Sequence, residues 1–157
     1  MLAEKFKIVP VMNSADISTS SDCDSINMKD YHKATFIFTF GAVTTDITVT
    51  PKSGASEGTK TTAVPSRYAE AGAVIGTAVA GSTASCDVLA AWTATSTTCA
   101  CAAASNKMLV IEIDAASMAE GEEWLTLTLT TATGGICHGV AILEPRYKSN
   151  RSATCLK

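Results

Sequence analysis

Apolar and polar residues alternate with a period of two in several short runs of the chain. Residues 34–40, Ala-Thr-Phe-Ile-Phe-Thr-Phe, and residues 46–50, Asp-Ile-Thr-Val-Thr, read this way, and residues 124–130, Trp-Leu-Thr-Leu-Thr-Leu-Thr, are the clearest case. Successive side chains of a strand point to opposite faces, so Leu125, Leu127 and Leu129 share one face while Trp124, Thr126, Thr128 and Thr130 share the other. The division predicts half-buried strands with an apolar core face and a hydroxyl surface face. Residues 108–113 and 136–143 are denser in apolar and β-branched residues, the pattern of strands nearer the middle of a sheet.

Turn formers separate these runs. Gly41, residues 51–54, Gly58, Pro65, Gly72, Gly81 and Gly134-Gly135 fall between them at intervals that suit successive hairpins. One helical turn is expected at 114–120, with Asp114 as N-cap, Ala115, Ala116 and Met118 as helix formers and Gly121 closing it. Eight or nine short strands and one short helix predict an all-β chain: an antiparallel β-sandwich with jelly-roll-like wrapping, a flattened barrel being the variant. The expected organisation is an N-terminal arm over residues 1–12, extended toward a neighbouring molecule, a β-sandwich domain over 13–148 and a C-terminal tail over 149–157. Residues 13–33, rich in Ser and Asp, are expected as a loop or edge hairpin.

Composition changes this picture in one respect. Charged residues make up 17 % of the 157 positions, with 12 Lys and Arg against 15 Asp and Glu, where about 25 % is usual. The sequence holds 22 Thr, 15 Ser and 25 Ala, and hydroxyls stand in for charge. Residues 71–106 carry one charge, Asp87, in 36 positions. Such a stretch is either a core hairpin with a Ser/Thr-coated outer face or a surface that a partner subunit covers, since interface cores are depleted in charge. Hydrophobic residues at 46 % and a net charge of −3 exclude whole-chain disorder. The scattered Arg67, Arg146 and Arg151 offer no basic face for nucleic acid. No apolar run is long enough for a membrane span, and the run at residues 8–12, broken by Pro10, is too short for a secretory signal. A soluble product of a cytosol is expected, in which the sequon at Asn150 is a chance match.

Little in the sequence points to catalysis, a cofactor or a metal. Six cysteines stand at 23, 86, 99, 101, 137 and 155, most simply as buried thiols. Cys99 and Cys101 with Cys137 and His138 have ligand types suited to zinc, but a lone C-x-C lacks the paired-knuckle spacing. A disulfide from Cys86 to Cys99 or Cys101 is the other alternative. On a strand Cys137 and His138 face opposite ways, so they form no dyad, and His138 is expected outside or at an interface. The remaining histidine, His32, follows Asp30 and Tyr31 in a polar approach to a strand. Glu120, Glu122 and Glu123 read as a solvated patch, and Gly134-Gly135 precedes a strand, with no phosphate-binding helix behind it. No enzymatic activity is expected.

The order of segments carries a resemblance. Tyr-His-Lys-Ala-Thr-Phe-Ile-Phe-Thr-Phe-Gly-Ala-Val at 31–43, Asp-Ile-Thr-Val-Thr at 46–50, Leu-Val-Ile-Glu-Ile-Asp at 109–114 and Val-Ala-Ile-Leu-Glu-Pro-Arg-Tyr at 140–147 together resemble small β-rich proteins encoded among the head genes of tailed bacteriophages. The resemblance covers residues 6–148 and its motifs are structural. It implies a capsid decoration, or cement, protein: a β-sandwich bound in many copies to the major capsid protein on the outer surface of the shell, commonly as a homotrimer. Such a protein is made in the bacterial host cytoplasm, ends on the virion and has no active-site residues to carry over. The cysteines and the Ala/Thr-rich middle depart from that pattern. Two other classes stay open: a tail-tube or head-tail joining subunit that forms rings, and a carbohydrate- or receptor-binding module using Trp92, Trp124, Tyr31, Tyr68 or Tyr147.

Overall fold

The computed structural model describes residues 2–17, 20–43, 45–78, 80–131, 134–147 and 154–156. In chain order the elements are α1 (Leu2–Lys5), β1 (Lys7–Asp16), β2 (Ser20–Asp22), β3 (Ile26–Asn27), β4 (Tyr31–Phe40), β5 (Ile47–Gly54), β6 (Thr62–Ala63), β7 (Ser66–Glu70), β8 (Thr93–Ser96), β9 (Cys99–Cys101), β10 (Met108–Asp114), a 3-10 turn (Ala115–Ser117), β11 (Trp124–Thr131) and β12 (Ile136–Pro145). Two six-stranded antiparallel sheets pack as a sandwich. Sheet A runs β1-β12-β4-β10-β7-β8; sheet B runs β2-β11-β5-β6, with β3 also on β11 and β9 also on β5. Most connections carry the chain from one sheet to the other, which is the wrapping of a jelly roll.

The period-two runs account for the core. Phe36, Phe38 and Phe40 line the inner face of β4 with stacked rings, their centroids 6.1 and 6.5 Å apart in succession. Leu125, Leu127 and Leu129 of β11 are fully buried, as are Leu109, Ile111 and Ile113 of β10. These side chains form one continuous cluster between the sheets, and a side chain of this size contributes roughly 1.5–3 kcal/mol when taken from water. The expected helical turn is present in shortened form. Asp114 caps it, its carboxylate accepting from the Ala116 amide at 2.9 Å, but the turn ends at Ser117 in 3-10 geometry.

Three expectations are corrected. Residues 1–12 are no extended arm: Leu2–Lys5 is a helical turn, and Lys7–Asp16 pairs with β12 from Lys7 opposite Leu143 to Asp16 opposite Ile136. Val9, Val11 and Met12 are buried, and Pro10 is tolerated because β1 is an edge strand, where a missing N–H breaks no sheet. In the expected tail, Cys155 is buried, its carbonyl accepts from the Asn27 amide at 3.0 Å, and Leu156 packs on the core. Residues 71–106 form no core hairpin. Their two strands join different sheets, β8 pairing with β7 and β9 with β5, and most of residues 72–98 is exposed. Ala, Thr, Ser and Gly bury too little apolar area to pull that segment inward.

Candidate interaction surfaces

All six thiols are free, and the Cys86 disulfide expected as an alternative is not formed. Cys99 and Cys101 point together into the core from β9 with Ala100 outside, as same-face strand residues must. Burial pushes the Cys99 thiol up to about 11 and the Cys23, Cys101 and Cys137 thiols up to about 12. The Cys23 sulfur also accepts from the Leu127 amide at 3.3 Å. At neutral pH these groups are protonated, unlike a nucleophile or a metal-bound thiolate. Among the described residues no three His, Cys, Asp or Glu side chains gather as a metal site.

The other candidates are dispersed. Cys137 is buried and His138 exposed, on opposite faces of β12 as anticipated. His32 is exposed at the start of β4. Glu123 pairs with Lys29 at 3.7 Å, while the Glu122 carboxylate accepts from Ser53 Oγ at 2.5 Å and Thr62 Oγ1 at 3.0 Å. These bonds fasten a turn. Trp92 lies beside β8 of sheet A and Trp124 on β11 of sheet B, so the tryptophans form no shared stacking platform. Tyr31 is buried and Tyr147 exposed. Asn150 lies outside the described residues. Among those described, no helix is long and apolar enough to cross a membrane.

The two sheets present very different outer faces. On sheet B, Thr48 and Thr50 of β5 and Thr128 and Thr130 of β11 face outward, and the 55–61 connection is tied across this side. Ser25 Oγ and Thr126 Oγ1 are 2.7 Å apart, the Gly58 amide donates to Ser25 Oγ at 3.1 Å, and Lys60 reaches Asp22 at 2.6 Å. Thr128 donates to the same Asp22 carboxylate at 2.6 Å. Partial burial would raise the Asp22 pKa, but the bonds from Lys60 and Thr128 hold it below the usual range. This side is polar and internally satisfied.

Sheet A carries an apolar patch on its outer face, among the polar Thr39, His138, Lys33, Glu112, Asp114 and Glu144. Its register sets Pro10, Val140, Ile37, Val110 and Ala69 in one row across five strands. Val110 and Ala69 are closed to solvent, whereas Val140 and Ile37 are partly open and Pro10 is exposed. The neighbouring row runs Ile8, Ile142, Thr35, Glu112, Arg67. Ile8 is 47 % exposed at one border, Ile136 55 % exposed at the tip, and Trp92, 39 % exposed, packs its ring 4.8 Å from the Arg67 guanidinium at the other border. Beside that tip the amides of Gly41, Asn106 and Ile75 donate in turn to the carbonyls of Ile136, Gly41 and Asn106, which brings Ile75, 54 % exposed, to the same end. Lys33 at 2.8 Å and Arg67 both bind the Glu112 carboxylate. Burial opposes its ionisation, yet these two cations hold its pKa below the usual carboxylate value.

The outward apolar residues were missed as functional candidates, although a signal was present. Residues 136–143 are apolar on both faces, the mark of a strand covered on both sides; the fold covers one.

No family model matches the sequence, and no curated protein matches it. Among solved structures the chain is similar to the crystal structure of SPBc2 prophage-derived protein YomS, at 12 % identity over 88 % of this chain and 92 % of that one, with a TM-score of 0.45.

Proposed function

We propose that this chain is a structural protein of a bacteriophage particle, a decoration subunit that binds the major capsid protein lattice on the outer surface of the shell. The observation that carries the reading is the exposed, charge-poor segment 72–98. It holds one charge, Asp87, and exposes Val74 and Ile75. A free-standing surface is ordinarily rich in charge, and a contact surface is not. Contacts of this kind are individually weak and gain strength from repetition on a lattice. Hydroxyl side chains supply hydrogen bonds without the cost of removing full charges from water. The segment resemblance at 31–43, 46–50, 109–114 and 140–147 points the same way, and no catalytic role is assigned to any residue. In this reading the shell contact is made by the 72–98 loops, and the protein passes from the host cytoplasm to the virion surface.

The test is co-sedimentation of purified protein with heads that lack it, compared for the wild type and for a Val74→Lys, Ile75→Lys double variant. Both positions are exposed, so folding is expected to survive. Saturable binding in hundreds of copies, lost in the variant, supports the proposal; failure of the wild type to bind heads overturns it.

A further inference from the structure

We propose that the outer face of sheet A is a contact with a second copy of this chain, the two packing face to face about a two-fold axis that runs along the strands. This goes beyond binding to a shell, and it is read in solution with no heads present.

Charge favours this arrangement. Across β12, β4, β10 and β7 the outward charged side chains near one end of the sheet are Glu144, then Lys33, then Glu112 with Asp114, then Arg67, so the strands carry minus, plus, minus, plus. Glu144 lies opposite Lys33, Lys33 binds Glu112, and Glu112 lies opposite Arg67. A two-fold axis along the strands reverses strand order and keeps strand direction, so the band meets its own reverse: plus, minus, plus, minus. Lys33 then faces the partner's Asp114, and Glu144 comes within one row, about 7 Å along the strand, of the partner's Arg67. An axis across the strands would instead set the charged end against the apolar tip at Ile136, leaving the ionic groups without partners.

Strand order favours it as well. With the axis between β4 and β10, the six-stranded order β1-β12-β4-β10-β7-β8 maps onto itself. The partly open Val140 and Ile37 then lie over the partner's β7 and β10, whose Ala69 and Val110 are already closed to solvent, and β1 with exposed Ile8 lies over the partner's β8 border, where Trp92 stands. Aligned sheets pack face to face at about 10 Å. Six strands about 4.8 Å apart and some seven residues long give a face of roughly 600 Å². That is about the lower end, per partner, of what a specific interface buries, so the pair is weak alone and strengthened wherever copies are concentrated. The contact is two-fold and isologous, in place of the homotrimer that the family resemblance implies.

The test is the mass of the full chain across concentration, by sedimentation equilibrium, with three charge variants. Glu144 and Arg67 sit three strands apart in one chain, about 14 Å, so any coupling between them must pass between copies. The expected result is a dimer at high micromolar concentration, weakened about tenfold by Glu144→Lys or by Arg67→Glu, because symmetry creates two like-charged contacts each costing a few-fold. The double variant E144K/R67E restores it. Ile8→Lys, at an exposed edge position, also weakens the dimer, and circular dichroism checks that each variant is folded. A monomer at every concentration, a trimer, or a dimer indifferent to these substitutions overturns the proposal.

Discussion

Gly139 of β12 lies directly opposite Phe38 of β4, and the Phe38 ring occupies the space that a side chain at position 139 would need. A methyl group there would stand 2.6 Å from Cε1 and 2.8 Å from Cδ1 of the ring. That ring is held in the stack between Phe36 and Phe40 and cannot swing aside.

Gly139→Ala is therefore expected to destabilise the fold by about 1–3 kcal/mol, the usual cost of overfilling a packed core. Urea unfolding should show a lower midpoint at an unchanged slope; an unchanged midpoint would mean that the ring moves freely.

Buried thiols set an alkaline limit. Cys23, Cys101 and Cys137 have folded pKa values of about 12 against 9.0 in the open chain. Below pH 9 both states keep the proton and the groups contribute no pH dependence. Above it the unfolded chain ionises and the folded one does not, so stability should fall from pH 9 toward 12. Replacing Cys137 by Ala should shallow that slope in melts taken across the range, and a slope identical to wild type would contradict the assignment.

Glu112 acts at the acid side. Lys33 and Arg67 keep its carboxylate ionised below its usual pKa of 4.5. The lowered folded value contributes stability above pH 4.5, which is lost as pH falls through the folded pKa. Glu112→Gln should remove this component, flattening the acid limb of a stability-versus-pH curve while leaving the alkaline limb in place.

The turn between β9 and β10 holds Ala103 at φ 45°, in the left-handed region, with its amide donating to Asp46 at 2.7 Å. A residue with a Cβ pays roughly 1–2 kcal/mol there and glycine does not. Ala103→Gly is expected to raise stability by about 0.5–1 kcal/mol after the greater freedom of glycine in the unfolded chain is subtracted. Thermal melting checks it, a lower midpoint being the opposite result.

On sheet B, Thr126→Val leaves Ser25 without its 2.7 Å partner while keeping the β-branched shape. A loss of about 1 kcal/mol is expected from the missing hydrogen bond, the Ser25 oxygen keeping the Gly58 amide as a donor. Hydrogen exchange at the Gly58 amide, which donates to Ser25, should speed up in the same variant.

The strands were legible because leucine, phenylalanine and threonine alternate within them at the period a sheet requires, and Asp114 announced its turn through capping chemistry. β1 was harder to see. Pro10 interrupts the apolar run, and only the pairing with β12 shows that an edge strand accommodates it. Residues 71–106 resisted reading for a different reason: small residues specify neither face, and their course depends on the backbone bonds of Gly72, Ile75 and Cys86 to the carbonyls of Val88, Asn106 and Thr77 within the same stretch. Long-range register, which sets Glu144, Lys33, Glu112 and Arg67 in one band, is carried by no local pattern at all.

The place of β12 between β1 and β4 fixes an order of events during synthesis. Lys7–Asp16 emerges from the ribosome long before its sheet neighbour, Ile136–Pro145. Val9, Val11 and Met12 stay without their place in the core until Ile136–Pro145 has been made. Sheet A can therefore close only after translation has passed residue 145, and until then an apolar strand and the open edge of β4 are exposed together. The nascent chain is at its most aggregation-prone just before β12 emerges.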